Sequence, residues 1–138
     1  MKWLVDANVL SEPTKPEPDM SVVEWLQANE ADLVVDPFVV GEVRFGILLL
    51  PPGRRRRGLE RWFADGVQRL HCIPWDAHTG SVWADLLARL RIEGHAMPIK
   101  DSLIAASALA HDLTLVTRNS RDFQHAGVAL FDPFKSKG

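Results

Sequence analysis

Four acidic side chains stand where a chain of this pattern could use them together: Asp6, Glu42, Asp101 and Asp122. Asp6 ends the apolar run Lys2–Val5, and Asp122 follows the run Leu113–Val116 through a short polar turn. Asp101 opens a helical segment after the break at Pro98, and Glu42 interrupts an apolar helix from Phe38 to Leu50. Glu42 is the most informative of these, because an ionised carboxylate among Val39, Val40, Val43 and Ile47 is costly unless it is paired or coordinated. Each acid also has a plainer reading: Glu42 as a partner of Arg44 or part of a solvated face, Asp101 as a helix cap, Asp122 as a turn residue and Asp6 as the start of a turn. Gathered at one end of a sheet, however, four carboxylates repel one another unless cations join them. Hard divalent ions match an all-oxygen donor set, which points to Mg²⁺ or Mn²⁺. In such a cluster the ion lowers the pKa of a bound water and clamps phosphate oxygens, the chemistry of phosphodiester hydrolysis. The five histidines are scattered without ligand spacing, and the chain carries no P-loop, dinucleotide or nucleophile-elbow motif.

Elements that would carry these acids can be read from hydrophobic spacing. Short buried strands are expected at Lys2–Val5, Leu33–Val35, His71–Ile73, Leu113–Val116 and Val128–Leu130. Between them lie helices. Ser21 and Glu24 form a capping box with Met20 and Trp25 as its staple, predicting a helix over Val22–Ala28. Asp36-Pro37 starts a second helix that Pro51-Pro52-Gly53 stops after Leu50. Asp76 caps a third that runs to Glu93 and ends at Gly94, and Asp101–His111 reads as a fourth. The Pro-rich stretch Glu12–Pro18 reads as a surface loop. Alternation of strands and helices predicts an α/β sandwich with a mostly parallel central sheet of about five short strands.

At 138 residues the chain is one domain's worth, expected to span 1–138 as a single unit. Its 16 Lys and Arg against 18 Asp and Glu give a formal net charge of −2, so it lacks the overall polycation character of a nucleic-acid clamp, and any such contact must be local. Apolar runs such as Ile47–Leu50 fall far short of the ~20 residues of a bilayer span. The early charge at Asp6 does not suit a signal peptide, and the single Cys72, read as a small buried hydrophobe, fits a reducing compartment. A cytoplasmic protein without a membrane partner is expected. The tryptophans Trp3, Trp25, Trp62 and Trp83 sit at apolar positions suited to core packing, while Trp75 has no assigned place.

Four fragments, in order, carry a resemblance: Leu4-Val5-Asp6-Ala7-Asn8-Val9-Leu10-Ser11-Glu12, Gly41-Glu42-Val43-Arg44-Phe45-Gly46-Ile47, Asp101-Ser102-Leu103-Ile104-Ala105-Ala106-Ser107-Ala108 and Leu115-Val116-Thr117-Arg118-Asn119-Ser120-Arg121-Asp122-Phe123. Over nearly its whole length the chain resembles the PIN-domain ribonucleases, and within them the VapC-type toxins of type II toxin–antitoxin pairs. That resemblance implies a PIN-like α/β/α sandwich and a Mg²⁺-dependent endoribonuclease that acts as a toxin. It makes Asp6, Glu42, Asp101 and Asp122 the acidic quartet, with Asp6 and Asp101 the more direct metal ligands and Asn119 an accessory polar group within the cluster. It also implies a homodimer and a VapB-type antitoxin that covers the acidic site. The receiving groove could be formed by apolar helix faces around Val22, Trp25, Leu26 and Leu48–Leu50, which could equally be core. Two departures stand out. Ala7 replaces the usual hydroxyl residue after the first aspartate, and Val39 and Val40 stand where another hydroxyl is common, losses from the outer shell of a metal site that would reduce metal affinity or activity by ~10–100-fold.

A nuclease with an acidic centre needs nearby positive charge. Arg54, Arg55, Arg56 and Arg57, in a Pro/Gly-flanked loop, are expected to steer the RNA backbone, and Lys100 or Arg118 to touch phosphate nearer the cut. A charge run that merely solvates the loop is the plainer alternative. A different functional class also fits an acidic pocket: a catalytically weak PIN fold, or an aspartate phosphoacceptor, working through a binding partner. A phosphoacceptor wants adjacent acids near the first strand and a lysine after a late strand, whereas Ala7 and Asn8 follow Asp6 and Arg118 stands at the late-strand end.

Overall fold

A computed structural model describes residues 1–134; the expected domain of 1–138 therefore includes residues 135–138, which lie outside the described residues. The elements follow as β1 (Trp3–Val5), α1 (Ala7–Leu10), α2 (Met20–Ala28), β2 (Leu33–Val35), α3 (Pro37–Leu48), α4 (Arg54–Asp65), β3 (His71–Cys72), α5 (Ala77–Glu93), α6 (Ile99–Ala110), β4 (Thr114–Val116) and β5 (Leu130–Phe131), with short 3₁₀ turns between some of them.

All four strand pairings are parallel and the sheet order is β3-β2-β1-β4-β5. Winding runs outward from β1 through β2 to β3, then crosses back to β4 and on to β5. Right-handed crossovers in opposite directions send their helices to opposite faces, which makes the expected α/β/α sandwich. The same reversal leaves a crevice beyond the carboxyl ends of β1 and β4, where open parallel sheets bind ligands. Side chains of the central strands, Leu4, Val5, Val34, Val35, Leu115 and Val116, are buried on both faces and form the core with Val9, Val22, Ile104 and Phe123.

Local chemistry fixes most element boundaries. Asp36 Oδ1 accepts the Val39 amide at 2.8 Å and Pro37 sits in the first turn, so α3 starts where expected. Asp76 caps α5 through the Thr79 amide at 3.1 Å, and Gly94 ends it in the left-handed conformation at φ 76°. Other boundaries differ from the sequence reading. Asp19, not Ser21, caps α2, because its Oδ1 takes both the amide and the hydroxyl of Ser21; Met20 thereby becomes the first helical residue and is exposed, not a staple. Helix α6 begins at Ile99, placing Asp101 inside the first turn, not at the cap. Glu12–Pro18 is not a plain loop, since Glu12–Thr14 forms a 3₁₀ turn directly after the short helix α1.

Two expectations are corrected, and Trp75 gains a place. Arg54–Arg57 is the first turn of α4, not a loop, and Arg56 is used structurally: it lies near Glu60 at 3.5 Å and donates to the Leu50 carbonyl at 3.3 Å. Glu60 also holds Arg44 at 3.1 Å, so the α3–α4 hairpin is tied across its turn. Cys72 is exposed, because β3 is an edge strand of two residues, and partial burial beside the Asp36 charge pushes its thiol up, away from a reactive thiolate. Trp75 has a packing role: its indole N–H donates to the Leu103 carbonyl at 3.2 Å, and its ring meets Phe38 and Trp83 edge-on. Among the described residues no helix is long and apolar enough to cross a membrane.

Candidate active site

The site begins with a register. Val5 pairs with Val116, so the next residues along β1 and β4, Asp6 and Thr117, leave the sheet side by side. The Asp6 amide donates to the Val116 carbonyl at 2.9 Å, holding the strand ends together. Asp6 is 6% exposed. Its Oδ1 caps α1 by accepting the Ala7 amide at 2.8 Å, and its Oδ2 accepts the Thr117 hydroxyl at 2.8 Å. Asn8 adds a long contact from Nδ2 to Asp6 Oδ2 at 3.4 Å and accepts the Arg118 amide at 3.1 Å.

Asp6 feels its neighbours. Burial pushes its carboxyl up to about 6, the charges of Glu42 and Asp101 push in the same direction, and the Thr117 and Ala7 hydrogen bonds oppose them. Asp101 is likewise raised, first by burial and then by Asp122 and Glu42, with Lys100 pulling the other way. The four acids named from the sequence therefore share one field at the crevice between β1 and β4. Two helices carry two of them. Asp36, at the end of β2, joins these helices: besides capping α3, its Oδ2 accepts the Ser107 hydroxyl of α6 at 2.7 Å.

Glu42 is less enclosed than its apolar neighbours suggest, because α3 turns Phe45 and Leu49 outward at 61% and 69% exposure. Its Oε2 accepts the Lys100 ammonium at 2.8 Å, and its Oε1 is buried with no hydrogen-bond partner. Arg44 is bound to Glu60 instead, which removes the plainer reading of Glu42 as its partner. The hydrogen bond that Lys100 donates to Glu42 raises its pKa, keeping that ammonium charged.

Asp122 lies exposed in the 3₁₀ turn Ser120–Phe123 and acts on Asp101 through its charge. Asn119 is placed differently from expectation. Its backbone amide donates to Thr117 Oγ1 at 3.1 Å, while the asparagine whose side chain reaches the acids is Asn8. Thr117 and Asn8 are the site residues that sequence reasoning missed. Once the strands are known to be parallel and adjacent, Thr117 after β4 is the counterpart of Asp6 after β1, and that equivalence is the signal. Of the four arginines, Arg55 lines the groove beside Glu42, together with Arg118.

The donor set suits a hard divalent ion: carboxylates alone, Glu42 with one buried, orphaned oxygen, and Asp6 raised by burial and further by like charges that a cation would relieve. Among the described residues no three His, Cys, Asp or Glu side chains are drawn together as a ready metal site, and the positive charge at Glu42 is the Lys100 ammonium.

Residues 3–129 match the family model for the PIN domain. The chain belongs to the PIN-domain family. It is 35% identical to the plasmid stability protein StbB of Pseudomonas syringae pv. tomato, over 96% of this chain and 99% of that one. It is 32% identical to the VapC ribonuclease Y4jK of Sinorhizobium fredii, over 96% of this chain and 97% of that protein. Toxin FitB of Neisseria gonorrhoeae is also 32% identical, over 95% of this chain and 97% of FitB. The crystal structure of FitAcB from N. gonorrhoeae superposes with a TM-score of 0.89 at 32% identity, over 96% of this chain and 98% of that chain. This PIN domain thus matches those relatives in sequence along almost their full length, and the FitAcB chain in fold as well.

Proposed function

We propose that this PIN-domain protein is a Mg²⁺-dependent endoribonuclease, with Mn²⁺ an alternative ion, and that it serves as the toxin of a toxin–antitoxin pair in the cytoplasm. One observation carries the reading: Asp6 is buried at the switch point of a parallel sheet, in the combined field of Glu42 and Asp101, and a cation would relieve that charge. The names of two relatives, a VapC ribonuclease and toxin FitB, support the substrate class and the role.

In this reading Asp6 and Asp101 hold the metal, while Glu42 and Asp122 complete the acidic quartet. The ion, when bound, supplies an activated water and a clamp for phosphate oxygens. The chain's own residues do the rest. Thr117 and the Ala7 amide fix the Asp6 carboxylate in one orientation, Lys100 balances Glu42, and Arg118 stands at the mouth where an RNA phosphate approaches. Ala7 brings no side-chain hydroxyl, and the hydroxyl that reaches Asp6 is that of Thr117.

A small VapB-type antitoxin is the proposed partner, supported by FitB, whose solved form FitAB is bound to a DNA fragment. We assign a homodimer as well, for which the outward side chains Phe45, Leu48 and Leu49 offer apolar surface. Val22 is taken up by the core and is removed from any receiving groove.

Cleavage of total RNA by the purified chain tests the activity. Products should form with Mg²⁺ and disappear with EDTA and in Asp6→Asn; equal cleavage in all three would remove the assignment.

A further inference from the structure

Between α1, α3 and α4 runs a groove of about 470 Å³ whose walls include Asn8 and Glu42, so one end opens onto the acidic site. Three cationic side chains reach it from three separate segments: Lys15 after α1, Arg55 from the first turn of α4, and Arg118 after β4. Their surroundings differ. Lys15 lies 2.9 Å from the buried Glu12, Arg118 is held over the Phe134 ring at 4.4 Å, and the Arg55 guanidinium has no ion-pair partner among the described residues. The same groove is lined by apolar side chains, the half-buried Leu59 and Trp62 together with the buried Ile47.

Cationic and apolar side chains lining one groove match the two halves of a nucleotide: phosphate oxygens that need donors, and a base that stacks on an apolar or aromatic face. Three cations in the groove favour RNA over a peptide, since the phosphate that neighbours a strand's scissile bond needs donors and this groove is the space adjoining the carboxylates. We propose that the groove holds the nucleotide next to the scissile phosphate of a single-stranded RNA, its phosphate on Arg55, Lys15 and Arg118 and its base against Leu59 and Trp62. The inference rests on the ribonuclease reading and adds to it a location and a hierarchy. The four consecutive arginines are not equivalent: Arg56 is engaged with Glu60 and the Leu50 carbonyl, Arg54 and Arg57 do not line the groove, and Arg55 does.

The test compares Arg55→Gln with Arg54→Gln and Arg57→Gln, all three exposed in the same helical turn, so that net charge changes equally. Binding of a fluorescein-labelled single-stranded RNA is followed by anisotropy in EDTA over a range of salt concentrations, with thermal melting to confirm folding. Arg55→Gln should weaken binding roughly fivefold and reduce the slope of log K against log salt by ~0.7, the value for one phosphate contact on a single strand. Arg54→Gln and Arg57→Gln should change neither. Three equal losses would mean a diffuse positive surface and would overturn the proposal, as would Arg55→Gln binding RNA like the wild type. If Arg55→Gln spares RNA and weakens a purified antitoxin instead, the groove belongs to a protein partner and the proposal also falls. Failure of the ribonuclease reading shows separately, as absence of metal-dependent cleavage by the wild-type chain.

Discussion

Thr117 Oγ1 donates a 2.8 Å hydrogen bond to Asp6 Oδ2 across 111 residues of sequence. The same hydroxyl accepts the Asn119 amide at 3.1 Å and Asn8 Nδ2 at 3.4 Å, which fills its one donor and two acceptor positions. Thr117 is fully buried, so this is a closed network in which each member fixes the next.

Thr117→Val keeps the shape and removes the donor. Stability should fall by about 1–2 kcal/mol, because two amide donors lose their acceptor and a buried carboxylate loses a partner. Divalent-ion affinity should drop ~10–100-fold, the usual cost of an outer-shell loss. Urea unfolding and Mn²⁺ titration by calorimetry measure the two; unchanged metal affinity would show that Thr117 does not orient Asp6.

Asp6→Asn removes a buried charge. The folded Asp6 carboxyl is raised from 3.8 to about 6, so its favourable contribution is complete below 3.8 and is lost as pH rises through 6. Metal-free wild type should therefore lose up to roughly 3 kcal/mol between pH 4 and pH 8 from this group, and Asp6→Asn should lack that slope. Urea unfolding in EDTA at several pH values decides it, and parallel curves for the two proteins would contradict the assignment.

Lys100→Met strips the only ammonium held against Glu42 by a hydrogen bond among the described residues. Removing one positive charge from an acidic site should tighten Mg²⁺ binding roughly fivefold, about 1 kcal/mol for a half-exposed pair. Calorimetric titration reads this directly. Weaker binding would mean that Lys100 supports the metal site instead of competing with the ion there.

Ser107→Ala cuts the tie between α6 and Asp36. Burial already raises the Asp36 carboxyl while Ser107 lowers it, so losing the hydroxyl raises it further. A raised carboxyl contributes fully below its unfolded value and loses that contribution as pH rises through the folded one. The destabilisation should accordingly be small near pH 3.5 and grow toward neutral pH, to about 1–3 kcal/mol. Denaturant curves at the two pH values test the sign; a penalty that shrinks with rising pH would refute it.

The sequence alone determined the five strands and four of the six helices, the caps at Asp36 and Asp76 and the stop at Gly94, and it singled out four acids, because each rests on local spacing or on a charge out of place among apolar neighbours; it left out α1 and read the start of α4 as a loop. It could not determine what depends on strand neighbourhood. Thr117 and Asn8 become site residues only when β1 lies against β4, and Lys100 finds Glu42 only because α3 and α6 meet, held by Asp36 and Ser107. The arginine run illustrates the same division. Its charge is plain in the sequence, but a helix separates consecutive side chains by about 100° of rotation, so the fold alone decided that Arg55 enters the groove while Arg56 ties down the α3–α4 hairpin.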